Sequence, residues 1–356
     1  MKFSICTMAN IDEIGFFPHA EQLGYHAVWI ADSQMLFSDC YTVMALAARA
    51  TRTLRLGTGT SITGPRIPPV HVAAAASINR IAPGRIHLGI ATGNTAMRTM
   101  GQRPMKMAEY REYLRVLTAL LRGETVDYTY NGVTKPIKML MHDETGYMNL
   151  EPKIPLYVSG FGPRAMGLAG EFGDGLVFAI PPRGVAVPQA MAHVRQGAAS
   201  IGRTIGGDFL NSSLVNIALL EPGEAVDSDR MKRLIGPNVM ASVYYFYDEV
   251  HERGIDVPDF LKPMWPAYCR LVEDTAPELR HLRTHEFHYT YLHPGEAELI
   301  DETLIRATCI VGEADAIIEQ IRELERQGLQ EIMWATGNSG KWRFAEEFAR
   351  QVMERY

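Results

Sequence analysis

Apolar residues in this chain gather in short runs separated by amphipathic stretches, and the alternation repeats eight times. The runs are KFSICTMA, AVWIAD, LRLGTGTSI, RIHLGIATG, PLYVSGF, GLVFAI, SLVNIALLE and QEIMWATG. Most lead directly into a stretch of helical spacing, such as CYTVMALAARAT, PPVHVAAAASINRIA or WRFAEEFARQVMER. Apolar strands joined by helices make a parallel sheet covered on its outer face. Eight such units predict an α/β fold, a closed (β/α)8 TIM barrel, rather than an open sheet.

Two segments interrupt the alternation within what reads as a single domain over 1–356. About 124–153, polar and apolar residues alternate around Asn131-Gly132, which predicts a hairpin with a type I′ turn. About 222–308, a long and mostly helical insertion precedes the last barrel unit. It contains YYFYDE at 244–249, a stripe of aromatics that reads as core or subunit interface. Insertions on a barrel usually decorate the catalytic face or make oligomer contacts.

With 356 residues, 47% of them hydrophobic, the chain can bury a large core. A net charge of −6 leaves no basic excess to neutralise nucleic-acid phosphates. No apolar run approaches the ~20 residues that span a bilayer, and the N-terminus has no signal-peptide pattern. Cys6, Cys40, Cys269 and Cys309 lie far apart without metal-type spacing and read as reduced thiols of a cytoplasmic protein. Eighteen methionines supply core filler and suit the wall of an aromatic ligand's pocket.

Candidate chemistry collects where the strands end. PLYVSGF runs into Ser159-Gly160-Phe161-Gly162-Pro163-Arg164, followed by a helix. Glycines let backbone approach a ligand, Pro163 suits a first helical turn, and free N–H groups at a helix start attract an anion. The same residues also make a sound β-to-α turn, and both readings stand at this point. IATGN offers a hydroxyl, an open backbone and an amide in Thr92, Gly93 and Asn94, which also suit a helix cap. GTGTSITG, ending in Thr60-Ser61-Ile62-Thr63, is too rich in polar residues and glycine for a plain buried strand. ADSQ brings Asp32 as a candidate for proton transfer or orientation, with Ser33 and Gln34 beside it as hydrogen-bonding groups.

HEFHYTYLH holds His285, His288 and His293, but HEFH is one residue short of the zincin spacing and no second cluster matches it, so no metal site is assigned. Their interleaving with aromatics makes a substrate-pocket rim the better reading, with His288 as the catalytic candidate. His71 and His87, in a helix and a strand, read as structural.

The ordered set GYHAVWIADSQ, LRLGTGTSITGPRIPPVHVAAAASINRIAPGRIHLGIATGN, MAEYREYLRVLTALLRGETVDYTYNG and VSGFGPRAMGLAGEFGDGLV resembles the bacterial-luciferase-like flavin-dependent oxidoreductases. ATCIVGEADAIIEQIRELERQGLQEIMW is similar to the C-terminal unit of the methylenetetrahydromethanopterin-reductase-like branch. The likeness spans nearly the whole chain except about 222–295. It implies FMN or the deazaflavin F420 at the C-terminal ends of the strands. Thr60, Ser61, Ile62 and Thr63 would form a bulge under the ring, with a cis peptide at Ser61–Ile62. Thr92, Gly93 and Asn94 would meet the cofactor's polar edge, and 159–164 its phosphate.

Members of the family use reduced FMN with O2 to insert one oxygen atom, or move hydride to or from F420. The first activity, an FMN-dependent monooxygenase acting on a small organic substrate, is the principal expectation. Its reduced FMN would come from a partner flavin reductase. F420-dependent hydride transfer is the alternative, and a non-catalytic flavin-binding barrel a third reading. Relatives often have His or Glu after the strand-two acid; Ser33 and Gln34 stand here, which weakens the transfer of a His-based mechanism to that place. The resemblance also implies a homodimer or homotetramer.

Overall fold

A computed structural model describes residues 1–337 and 340–356. Eight parallel strands form its centre: β1 Lys2–Met8, β2 Ala27–Ala31, β3 Arg55–Thr58, β4 Ile86–Ala91, β5 Leu156–Ser159, β6 Gly175–Ala179, β7 Leu210–Val215 and β8 Glu331–Thr336. Each pairs with its neighbours in chain order, and β1 pairs with β8, with Lys2 opposite Glu331, so the sheet has no edge. This is the closed (β/α)8 barrel that the alternating runs predict.

Side chains that point inward fill the barrel. Trp29 sits at its centre, its ring 4.1 Å from His87 and 5.1 Å from Tyr157. The glycines of β3 belong to this packing. A Cβ on Gly57 would lie 2.1 Å from the His87 ring, and one on Gly59 2.7 Å from the Trp29 Cβ. Beneath Trp29, buried Glu331 accepts from Ser4 Oγ at 2.5 Å and from Trp29 Nε1 at 3.1 Å. Burial pushes its carboxyl above the usual range.

Two expectations need correction. The cis peptide lies at Gly59–Thr60, not at Ser61–Ile62. Crowding explains the position, because the backbone at 59 runs against Trp29 where no side chain fits. The strand then resumes at Ser61–Ile62, paired with the end of β4. The seventh run also divides. Leu210–Val215 stays in the barrel, while Ile217–Leu219 leaves it to pair in parallel with Ile310–Gly312. Asn216 marks the divergence, its amide reaching the Thr308 carbonyl at 3.2 Å.

Outside the barrel, Val126–Tyr130 and Val133–Ile137 form an antiparallel hairpin, with Asn131 and Gly132 both at positive φ. Between β7 and β8, helices Asp229–Arg253, Trp265–Glu273, Arg280–His285 and Glu302–Thr308 surround a second apolar core. Tyr244, Phe246 and Tyr247 of the aromatic stripe are buried in that core. Tyr245 packs against the edge of that core and also lines the mouth of the barrel.

Candidate active site

Strand ends, the loops after them and the insertion enclose a cavity of about 820 Å³ over the C-terminal end of the barrel. Its floor is the upper layer of the barrel, Cys6, Met8, Leu214 and Ala335. The Cys6 thiol is pushed up to about 12 by burial, so it stays protonated and inert near neutral pH.

One wall is neutral and polar. Thr60 and Ile62 from the interrupted third strand stand near Thr92, Gly93 and Asn94 at the end of β4. Gly93 has φ 85°, which turns the chain abruptly into the short helix Asn94–Arg98. The adjoining wall is the turn Ser159-Gly160-Phe161-Gly162-Pro163-Arg164, all six residues of which line the cavity. Helix Pro163–Phe172 starts there with no side chain capping it. A Cβ built on Gly162 meets nothing within 4 Å, so the turn opens onto free space. Uncapped N–H groups, an open glycine and Arg164 form a cradle suited to an anion.

Asp32 reaches the cavity edge but is heavily engaged. Its Oδ2 accepts from Arg66 at 2.5 Å, Ser61 Oγ at 2.9 Å and the Ile62 backbone N–H at 3.3 Å. Arg66 also holds Asp39 at 2.7 Å. Ser61 continues inward to His71 Nε2 at 2.9 Å, and His71 Nδ1 meets the Tyr113 hydroxyl. Ser61 therefore faces this network rather than the cavity. Gln34 and Thr63 are also absent from the cavity wall. Gln34 Nε2 donates instead to the Ala96 carbonyl at 2.9 Å, fastening the end of β2 to the helix after β4.

His288 comes from the insertion and does line the cavity. Its Nε2 is 3.2 Å from Thr95 Oγ1, and its Nδ1 is buried with no hydrogen-bond partner among the described residues. Burial first, then the nearby His285 and Arg183, hold its pKa well below the usual value, so the ring is neutral. His285 also lines the cavity, its Nε2 3.1 Å from Asp248, which also pairs with Arg98 at 3.1 Å. Arg98 further holds Glu252 at 2.8 Å and so ties the loop after β4 to the insertion. Among the described residues, no three His, Cys, Asp or Glu side chains converge as metal ligands.

Several residues of the site escape a sequence reading. Arg66 sits in TGPRIPP, where it resembles a loop arginine, and only the fold places it on Asp32. Arg183, Tyr245 and Tyr289 line the cavity from segments distant in sequence.

The buried imidazoles carry a prediction. Burial lowers His71 to about 3, His26 and His293 to about 4, and His87 and His288 well below the ordinary value. Below about pH 6.5 the unfolded chain takes up protons that these folded sites refuse, so stability falls as pH falls. Glu296 and Glu331, raised by burial, work in the opposite sense but are fewer. Thermal melts from pH 7.5 down to 5 are therefore expected to show a steadily falling Tm. A flat profile would contradict neutral burial of these rings.

Comparison with known proteins places this geometry. The model of the family described as luciferase-like monooxygenase matches residues 11–331. The 5,10-methylenetetrahydromethanopterin reductase of Archaeoglobus fulgidus is 25% identical over 324 residues, covering 88% of this chain and 86% of that protein. An F420-dependent glucose-6-phosphate dehydrogenase of Beutenbergia cavernae is 30% identical over 195 residues; the match covers 49% of this chain and about half, 54%, of that protein. The solved F420-dependent tetrahydromethanopterin reductase of Methanopyrus kandleri superposes with a TM-score of 0.71 over 100% of this chain and 99% of its own, at 19% identity.

Proposed function

The chain belongs to the luciferase-like monooxygenase family, and we propose that it is an oxidoreductase moving hydride between the deazaflavin F420 and a small organic substrate. The observation that carries this reading is one cavity joining a neutral wall at Thr60, Ile62 and 92–94 to an uncapped helix start at Gly162–Arg164. A heteroaromatic ring with a polar edge and a phosphate-bearing tail needs that pairing of surfaces. FMN would suit the same surfaces. The A. fulgidus relative, matched along most of this chain, supports the methylenetetrahydromethanopterin-reductase-like branch, and the B. cavernae relative is named for F420. Those names favour hydride transfer over the oxygenase expected first.

When bound, F420 supplies a two-electron hydride donor or acceptor. The chain's own residues would do the rest. Residues 159–164 bind the anionic tail, and Thr60, Ile62 and 92–94 orient the ring. The insertion covers the mouth with Tyr245, His288 and Tyr289 and keeps water out. His288, neutral and on the cavity wall, is the group placed to take a proton from a substrate hydroxyl. Asp32, committed to Arg66 and Ser61, acts as a positioning residue for the third strand rather than as a base.

Anaerobic fluorescence titration with F420 and with FMN tests the choice. F420 is expected to bind in the micromolar range and at least ~10-fold more tightly than FMN, about 1.4 kcal/mol. The reverse order, with oxygen uptake by photoreduced FMN and a substrate, would support the monooxygenase reading.

A further inference from the structure

The cavity is lined by five arginines, Arg98, Arg103, Arg164, Arg183 and Arg253, against three carboxylates, Asp32, Glu249 and Glu252, in a chain whose net charge is −6. Each carboxylate is already paired: Asp32 with Arg66 at 2.5 Å, Glu249 with Arg253 at 2.5 Å, Glu252 with Arg98 at 2.8 Å. Arg103, Arg164 and Arg183 have no carboxylate partner among the described residues. Arg164 belongs to the cradle, which accounts for one anion. Arg183 lies one strand further round, in the loop after β6, against the insertion.

There Arg183 Nη1 donates to the Tyr289 hydroxyl at 2.9 Å. Tyr289 has φ 64°, a left-handed backbone that a bulky residue adopts only where its surroundings enforce it. The same residue is 5% exposed and packs among the apolar side chains of the upper barrel. Its backbone conformation thus sets the ring into the mouth and the hydroxyl onto the guanidinium. The His288 ring stands edge-on to it, 4.8 Å away. One phenol uses one of the guanidinium's five N–H groups, which leaves a fork able to take an oxyanion with two parallel hydrogen bonds. Beside it the floor is apolar, Met8, Leu214 and Ala335.

We propose that Arg183 and Tyr289 form a substrate subsite separate from the cofactor's anion cradle. It selects a small organic acid whose carboxylate or phosphoryl oxygens meet Arg183 while its apolar body rests on the barrel floor. Positive potential in a cleft of an otherwise acidic protein would also concentrate such a substrate. The proposal rests on the reading of this cavity as the catalytic site, but its test does not require turnover.

Benzoate and phenylphosphonate serve as probes, with benzyl alcohol as the uncharged comparator. Each is titrated calorimetrically into the full chain at constant ionic strength, with and without F420. Both oxyanions are expected to bind at least ~10-fold more tightly than benzyl alcohol, and Arg183→Met to remove that advantage. Arg183→Lys, which keeps the charge, is expected to retain part of it, and Tyr289→Phe to weaken it several-fold. F420 affinity, read by fluorescence, is expected to stay unchanged in Arg183→Met. Oxyanions that bind no better than benzyl alcohol, or bind Arg183→Met as well as the parent, overturn the proposal. Loss of F420 affinity in parallel also overturns it, by assigning Arg183 to the cofactor. Failure of the parent to bind F420 while oxyanions still depend on Arg183 overturns the cofactor assignment alone.

Discussion

Gly162→Asp is expected to leave the fold intact and slightly more stable while removing most of the chain's affinity for its cofactor. Gly162 is the N-cap of helix Pro163–Phe172, in extended backbone at φ −109° and ψ 162°, which any residue adopts. A side chain there enters open space. Aspartate is a better N-cap than glycine by a few tenths of a kcal/mol, because its carboxylate accepts from the first-turn N–H groups. Those same groups and that same space are what the cradle offers to a phosphate. A carboxylate about 5 Å from a phosphate costs about 3 kcal/mol at an effective dielectric of about 20, roughly 100-fold in Kd. Gain of Tm with loss of F420 binding is the expected pair of results, from melts and fluorescence titration on one preparation. Unchanged affinity would place the tail elsewhere.

The second large effect is on stability. Arg66→Met is expected to cost about 3 kcal/mol or more, because it strands the carboxylate of Asp32. The Asp32 side chain is 2% exposed, and Arg66 is its strongest partner. A cationic side chain also leaves the face of Tyr41, 5.2 Å away. The double variant Arg66→Met with Asp32→Asn is expected to recover a good part of the loss, since a neutral amide can remain bonded to Ser61 and the Ile62 N–H. Denaturant unfolding of the two single variants and the double decides it. A loss below 1 kcal/mol for Arg66→Met would mean that Asp32 is well hydrated and free to act as a base.

What the chain reveals before folding follows from the range of the interactions involved. The eight strands were legible because burial on both faces demands contiguous apolar runs, and the helices between them show a different period. Closure into a barrel followed from their number. The glycines of LRLGTGT were misleading. They signal close approach, as expected, but Gly57 and Gly59 make room for His87 and Trp29 inside the barrel. The cis bond follows that crowding, which no local pattern in GTGTSI discloses.

The SGFGPR turn could be read locally because strand, glycine, proline and helix are adjacent in sequence. Asp32 could be found at a strand end, yet its role could not, since Arg66 and Ser61 reach it from 34 and 29 residues away. The meeting of Arg183 and Tyr289 spans 106 residues and depends on how the insertion folds back. Gln34 looked like a pocket residue only because it lies close after Asp32; two steps along the chain turn it onto the Ala96 carbonyl. Cofactor choice was not legible either. FMN and F420 ask the same of these walls, and the preference for F420 comes from relatives.

Co-crystallisation of the chain with F420 tests the central claim most directly. The tricyclic ring is expected against Thr60, Ile62 and residues 92–94 and the phosphate at 160–164, with the Arg183 fork left for a second ligand. Density for F420 outside the barrel mouth, or a mouth filled by the protein's own side chains in its presence, would contradict it.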